Sequence, residues 1–356
     1  MKIVQIVTQM ESGGAQRVAY LLHQAFCARG HEAELWFLYK KRPTYDNARN
    51  VRVLFARPPR GIDYLAIICS LHSLLKQLQP EAVVTHTHYA NALCNLVAQS
   101  CGVPRRISVH HNPLPTYPHL VRLVERFIGC LGTYTQSVAV SRSVETSFSS
   151  HSKAYRQHMK CIYNGIPELQ CRPPGEGERA RWGLPDATPL ILNVGRLAKQ
   201  KNQALLIDAL VELPGCHLAI AGEGELRSEL AACAKKRGVF ERVHFLGEVS
   251  SLDVSELMSL CDVFAFPSLY EAMGLVLVEA MQAGVSIVAS DIPATQEILG
   301  EAGVIVRPDP RAFAIAIRQV ISDSELREQL RRRAIKQAHK FGLDRMVCEY
   351  ERILHF

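Results

Sequence analysis

Two carboxylates stand eight residues apart in SLYEAMGLVLVEAM, the segment from Ser268 to Met281. Glu271 precedes Gly274, and Glu279 lies inside the apolar run LVLVEAMQAG, which Gly284 closes. The preceding VFAFPS predicts a buried strand that stops at Pro267. Glu271 then falls in a strand-to-helix loop beside a helix N-terminus. Glu279 falls about five residues into the helix, roughly 7.5 Å along its axis. Carboxylates so placed can hold two parts of one elongated polyhydroxyl ligand, with the helix N-terminus facing an anionic middle. The plainer alternative is a capping-region acid at Glu271 and a helix acid with a local partner at Glu279.

Cations stand in a comparable place. Arg196 and Lys201 belong to GRLAKQKN, directly after the strand-like LILNV. A guanidinium fork and an ammonium there can converge on one phosphate. The competing reading is two solvated loop charges, which suits Lys199 better than Arg196. Near the start, Ser12-Gly13-Gly14 follows KIVQIVT and opens the helical AQRVAYLL. Bare backbone at such a turn lets an anion approach the free N–H groups, although an ordinary tight turn has the same composition. Gly222-Glu223-Gly224-Glu225-Leu226-Arg227 lacks the third glycine of a dinucleotide fingerprint and adds two acids, which argues against that cofactor.

The histidines are less decisive. His110 and His111 end RRISVHH, and strand alternation sends them to opposite faces. His86 and His88, two apart in EAVVTHTH, would share a face. Zinc would need a third ligand, and no acid or cysteine lies nearby in sequence, so core or cleft-lining roles suit them better. The eleven cysteines come no closer than seven residues apart, with no CxxC, as for buried thiols in a reducing compartment.

The elements that must position these residues alternate. Strand-like KIVQIVT, HEAELWFLY, EAVVTHTH, RRISVHH, QSVAVS and MKCIYNGI are separated by amphipathic helical segments. A stretch rich in Pro, Gly and charge follows, and the alternation restarts with LILNVG, HLAIAG, VHFLG, VFAFPS, VSIVAS and GVIVR. The pattern predicts an α/β chain of two doubly wound, Rossmann-like domains. Their expected bounds are 1–170 and 189–340, joined by a linker at 171–188. A C-terminal helix at 341–356 is expected to pack back on the first domain. Ligands of such folds bind at the carboxyl ends of the strands, here in the cleft between the domains.

With 48% apolar residues among 356, both cores can be filled. No window reaches the roughly 18 apolar residues of a membrane span, and MKIVQIVTQM is too polar for a signal peptide; a cytoplasmic protein is expected. The net charge of +7 divides unevenly, with +11 in residues 1–167 and −4 in the remainder. A basic half suits anionic lipid or phosphorylated substrates. Nucleic acid fits poorly, because the basic residues are dispersed and no nucleic-acid-binding motif is present. PHLVRLVERFIGCL carries Leu120, Val121, Leu123, Val124, Phe127 and Ile128 beside Arg122 and Arg126. It reads either as a helix resting on anionic membrane or as an ordinary helix packed on the sheet.

The motifs in order, SGGAQRV, VHH, YNGI, NVGRLAKQKN, AGEGELRSEL, FLGEV and EAMGLVLVE followed by EAMQAG, resemble the GT-B glycosyltransferases, specifically the retaining family 4, or group 1. The resemblance covers nearly the whole chain. It implies a GT-B fold and transfer of a hexose or N-acetylhexosamine from a nucleotide-diphosphate sugar, with UDP the commonest nucleotide, to a hydroxyl of a glycan or lipid-linked acceptor. The implied setting is bacterial surface polysaccharide assembly, such as lipopolysaccharide, O-antigen or capsule, with peripheral contact at the cytosolic membrane face.

The same resemblance implies roles. Gly13 and Gly14 face the donor diphosphate and sugar. Arg196 and Lys201 bind the diphosphate and stabilise the departing nucleotide. Glu271 contacts the sugar hydroxyls, backbone N–H groups of Met273, Gly274 and Leu275 lie near the phosphates, and Glu279 takes the ribose. Glu223 and Leu246 flank base and ribose. His110, favoured over His111, is the active-site histidine that contacts donor sugar or acceptor. His88, His111, Arg122 and Arg126 line the acceptor side. Gln16 replaces the glutamate of many relatives, with little effect expected on the chemistry. There is no D-x-D carboxylate pair, so no metal or other cofactor is expected. Two other readings stand beside transfer: an NDP-sugar 2-epimerase on a similar scaffold, which product identity would separate, and a non-catalytic nucleotide-sugar-binding subunit, which tends to lose the charged site residues.

Overall fold

The computed structural model describes residues 1–169 and 177–355; residues 171–176 of the anticipated linker lie outside the described residues. Two compact units emerge: Met1–Ile166 together with Leu343–Phe356, and Pro167–Gly342. The first boundary falls before 170 because Leu169 N–H already donates to Gln282 Oε1 of the second unit, at 3.1 Å.

In the first unit seven strands form one sheet: β1 (Lys2–Met10), β2 (Glu32–Lys40), β3 (Val51–Phe55), β4 (Ala82–His86), β5 (Arg105–His110), β6 (Gln136–Ala139) and β7 (Met159–Cys161). They pair in the order β3-β2-β1-β4-β5-β6-β7, every pair parallel. Parallel sheets bury both faces, and β1 is buried nearly throughout. Val4 and Ile6 pack with Trp36, Val83 and the helical Ile67 and Leu71. Val7 turns the other way, onto Ala19, Leu35 and Phe37. The edge strand β3, VRVLF, went unread in the sequence because its residues are only half-buried and no apolar run marks it.

The predicted strand EAVVTHTH is cut short. β4 ends at His86, Thr87 turns to φ 77°, and His88 opens the helix His88–Ser100. His86 and His88 therefore do not share a strand face.

The second unit holds β8 (Leu190–Val194), β9 (His217–Ala221), β10 (Val243–Gly247), β11 (Val263–Phe266), β12 (Ser286–Ser290) and β13 (Val304–Val306). They are paired in the order β10-β9-β8-β11-β12-β13. All six were legible as apolar runs. Each sheet reverses its order once, at β1/β4 and at β8/β11, and loops leaving the strand ends there diverge and leave a crevice.

The loops after β8 and β9 are fused through backbone. Gly195 N–H donates to Ala221 O at 2.9 Å, Leu197 N–H to Glu223 O at 3.0 Å, and Leu226 N–H to Leu197 O at 3.1 Å. A Cβ on Gly222 would lie 2.1 Å from Gly195 O, and one on Gly224 would lie 2.3 Å from Leu197 O. These glycines serve backbone approach. The terminal helix Leu343–Leu354 completes the first unit: Leu343 N–H donates to Ile166 O at 3.0 Å, and Arg29 pairs with Asp344 at 3.0 Å and Glu351 at 2.7 Å.

Gly224→Ala is expected to cost about 2 kcal/mol or more in urea unfolding, because backbone rather than a flexible side chain must yield. Gly342→Ala, where an added Cβ meets nothing within 4 Å, is the control and is expected to be near neutral.

Candidate active site

In the second unit the loops after β8 and β11 emerge on either side of the reversal point. They are stitched together: Leu269 N–H donates to Gln200 O at 2.9 Å, Gln200 Nε2 to Tyr270 O at 2.9 Å and Asn202 Nδ2 to Pro267 O at 3.3 Å. The stitching brings Lys201 Nζ to 2.6 Å from Glu271 Oε1, with only 19% and 9% of the two side chains exposed. The Lys201 stem runs along bare Gly195, where a Cβ would meet it at 3.3 Å, and its ammonium lies 5.4 Å from the Phe266 ring centre. So the first carboxylate and one of the two cations, 70 residues apart, form one partly buried ion pair.

Beside this pair the helix Leu275–Ala283 starts after Gly274, at φ 77°. Its first turn has neither an acid nor a capping side chain. Leu277 N–H turns back to Gly274 O at 2.9 Å, and no side chain caps the N–H groups of Leu275 and Val276, as suits an anion-binding terminus. Met273 is buried just ahead of it, and Glu279 is 3% exposed among the helix's inward residues. Arg196 differs from Lys201: it is exposed, makes no ion pair among the described residues, and its carbonyl accepts from Gln203 Nε2 at 3.1 Å. Glu223 and Leu246 lie at adjoining strand ends, joined by Gly222 N–H donating to Gly247 O at 2.7 Å. Arg227 stacks on Phe245, 3.8 Å from the ring centre. No motif reading had found that contact.

In the first unit the corresponding loops follow β1 and β4. Gly13 and Gly14 are exposed, and the helix Gly14–Ala28 begins with no side-chain cap and no acid. Gln16 is buried and donates from Nε2 to Gln9 O at 3.3 Å. A glutamate could not donate that bond when ionised. Thr8 and Thr87 hydroxyls meet at 2.5 Å, and Ala90 N–H donates to Thr8 Oγ1 at 3.2 Å. These contacts hold Thr87, a β-branched residue, at positive φ, a strained conformation of the kind found at ligand sites.

The histidines do face opposite ways. His111 Nε2 lies 3.0 Å from His86 Nδ1, and His86 Nε2 lies 3.0 Å from Gln5 Oε1. His110 turns to the other side, with Nδ1 3.2 Å from Tyr117 Oη and Nε2 3.2 Å from Tyr155 Oη. His110 is 0% exposed. Both of its ring nitrogens thus meet protein groups. Burial lowers His110 and His111 to about 3, so both rings are neutral near pH 7. His88 is half-buried, 5.0 Å from the Tyr117 ring.

The helix His119–Cys130 has inverted polarity. Leu120, Leu123, Val124 and Phe127 face solvent, with Leu120 76% and Phe127 67% exposed, while the acid Glu125 is fully buried. Its apolar stripe is not packed on the sheet. Arg126 is exposed and Arg122 half-exposed on the same helix. The inversion follows from what lies beneath. Glu125 accepts hydrogen bonds from Tyr155 at 2.7 Å and Tyr134 at 3.0 Å. Gly129 presses so closely on the Tyr155 ring that a Cβ would sit 1.9 Å from it.

Two family models match the chain: "Glycosyltransferase Family 4" over residues 12–168 and "Glycosyl transferases group 1" over residues 176–337. An uncharacterized glycosyltransferase of Methanocaldococcus jannaschii is 29% identical over 92% of this chain and 90% of its own length. The lipopolysaccharide core biosynthesis glycosyltransferase LpsE of Rhizobium meliloti is 33% identical over 44% of this chain and 46% of its own. Among solved structures, Anabaena HepE in complex with UDP and glucose superposes with a TM-score of 0.88 at 21% identity, over 100% of this chain and 99% of that one.

Two parallel-sheet Rossmann-like units with this likeness define the GT-B fold. The chain belongs to the group 1, family 4 glycosyltransferases.

Burial raises the Glu125 carboxyl to about 7 from 4.5, against the opposing effect of its two tyrosine donors. Between those values the folded state holds a proton that the unfolded state has lost, so stability falls as pH rises through the window. The change is on the order of 3 kcal/mol. Glu125→Gln escapes it, and urea unfolding is expected to show the variant gaining on the parent between about pH 5 and about pH 8. A difference that does not vary with pH would mean the carboxyl is not perturbed.

Proposed function

We propose that the protein is a retaining glycosyltransferase. It moves a hexose or N-acetylhexosamine from an NDP-sugar, a UDP-sugar by preference, to a hydroxyl of a glycan or lipid-linked acceptor. The observation that carries this reading is the Lys201–Glu271 pair beside the uncapped helix at Gly274. A cation, a hydrogen-bond acceptor and open N–H groups in one place match the diphosphate and sugar hydroxyls of such a donor.

On this reading the diphosphate takes Lys201, with Arg196 and the N–H groups at Met273–Leu275. Glu271 exchanges its lysine for a sugar hydroxyl, and Glu279 takes the ribose. The bond between the anomeric carbon and the phosphate oxygen breaks, and its electron pair leaves on the nucleoside diphosphate. Lys201 and Arg196 stabilise that charge. The acceptor hydroxyl attacks from the same face, and its proton passes to the departing phosphate oxygen. Two cations so placed supply the neutralisation that a metal would otherwise give, and turnover independent of metal is part of the proposal. UDP is favoured because HepE was solved with UDP and glucose, and a surface-polysaccharide role because LpsE is named for lipopolysaccharide core biosynthesis.

Incubating the protein with a panel of NDP-sugars is expected to release nucleotide from one donor, unchanged in EDTA and lost in Glu271→Ala. Release that stops in EDTA would overturn metal independence. A panel with neither release nor binding would overturn the transferase reading.

The membrane belongs to the same proposal. No described helix is long and apolar enough to cross a bilayer. The exposed stripe Leu120, Leu123, Val124 and Phe127 with Arg126 can instead lie in the headgroup layer. The protein is expected to float with vesicles containing anionic lipid, and Phe127→Glu to weaken flotation roughly tenfold. Equal recovery of the two proteins in the unbound fraction would count against it.

A further inference from the structure

Below the inverted helix runs a continuous chain of polar groups that the transfer chemistry does not use. Tyr134 and Tyr155 donate to the two oxygens of Glu125. The Tyr155 oxygen lies 3.2 Å from His110 Nε2, and His110 Nδ1 lies 3.2 Å from the Tyr117 hydroxyl. Ser108 Oγ, 3.3 Å from Nε2 and 2.9 Å from Ser137 Oγ, sits at its side. Glu125, His110, Tyr117, Tyr134 and Tyr155 are all buried, and Phe148 stacks parallel to Tyr155 and against the His110 ring. The chain links the surface helix to the residues at the carboxyl end of β5, where Tyr117 touches the His88 ring.

Counting protons fixes its direction. A tyrosine has one O–H. When Glu125 is ionised, Tyr155 spends its proton on the carboxylate, and its oxygen can only accept. An imidazole proton on Nε2 then keeps two lone pairs from facing each other across 3.2 Å, with Ser108 Oγ accepting beside it, and leaves Nδ1 as the acceptor for Tyr117 O–H. When Glu125 is protonated, the carboxyl can donate to Tyr155. Tyr155 then donates to Nε2, and the imidazole proton moves to Nδ1 and points at the Tyr117 oxygen. The ring stays neutral in both states; only its tautomer changes. Each proton given up at one end of the chain is matched by one taken at the other, so charge changes only at Glu125.

We propose that Glu125, acting through Tyr155, is a positioning residue that sets the tautomer of His110, and with it whether Tyr117 donates into the histidine or is freed to donate towards the open end of the sheet. The groups facing Glu125 are Tyr134, Tyr155 and His110, the last with Nε2 3.8 Å away; Tyr117 senses its charge from beyond His110, and the buried His151 ring packs on Tyr155 at 4.7 Å. Arg122 and Arg126, on its own helix, make no ion pair with it among the described residues. The elevation of the Glu125 carboxyl places the change near neutral pH. This inference rests on the transferase reading only for its kinetic consequence. The tautomer itself is read without activity.

Nitrogen-15 histidine spectra of the full chain, with the His110 signal assigned through His110→Asn, test it. The signal is expected to report Nδ1–H at low pH and Nε2–H at high pH without passing through the charged form. Glu125→Gln is expected to lock it in one tautomer, and Tyr155→Phe to uncouple it from pH. A His110 tautomer constant from about pH 5.5 to about 8.5 in the parent, or the same switch in Glu125→Gln, would overturn the proposal. In turnover of the donor found above, Tyr155→Phe is expected to lower kcat roughly tenfold with donor KM unchanged, and Glu125→Gln to remove an inflection near neutral pH from the kcat profile. If no donor is turned over but the tautomer switches as described, the transferase reading fails and the relay stands.

Discussion

The arrangement in the second unit depends on one close approach, backbone on backbone, between the loops after β8 and β9. Gly222 and Gly224 let the 222–226 turn lie directly on Gly195 and Leu197, so that no side chain intervenes. With that turn seated, Gly195 is held where the Lys201 stem can pass over it, and the 200–202 turn can bond to the loop after β11. The Lys201–Glu271 pair is the last member of this series. Its short distance reflects three backbone-anchored contacts more than the mutual attraction of two charges, since a partly exposed pair alone is worth little.

The first unit solves a different problem with the same economy of parts. A carboxylate buried without a lysine or arginine partner is costly. Here the cost is lowered by two tyrosine hydroxyls and by raising the proton affinity of the acid. Tyr155 can reach Glu125 because Gly129 lets the helix settle onto its ring. The helix is thereby fixed by a polar contact on its inner side, and its leucines and Phe127 are left outside. Polarity patterning alone gives the opposite orientation.

Much of this was legible in the residues. The alternation of apolar runs gave both sheets, and the placement of Glu271 before a helix and of Lys201 after a strand gave the positions that the structure brings together. Strand β3 was not legible, because a half-exposed edge strand has no periodic signature. The break at Thr87 was hidden because nothing in THTH announces a positive φ. The role of His110 came from the family resemblance, and its enclosure was not legible because it depends on Tyr117, Phe148 and Tyr155, which arrive from three later segments. Nothing in the sequence singled out Glu125, and only its tertiary neighbours distinguish it.

The terminal helix carries a consequence for how the chain folds as it is made. Tyr350 is fully buried in the first unit, and Arg29 and His31 hold Glu351. The unit begun by β1 is thus finished by a helix that follows the whole second unit in sequence. A ribosome releases the second unit, residues 167–342, as an uninterrupted stretch. The first must wait with the groove for its closing helix uncovered until residue 354 emerges. During that interval the side of the helix Gly14–Ala28 on which the terminal helix packs forms a surface for chaperones to guard. Order of synthesis and order of completion therefore run in opposite directions in this molecule.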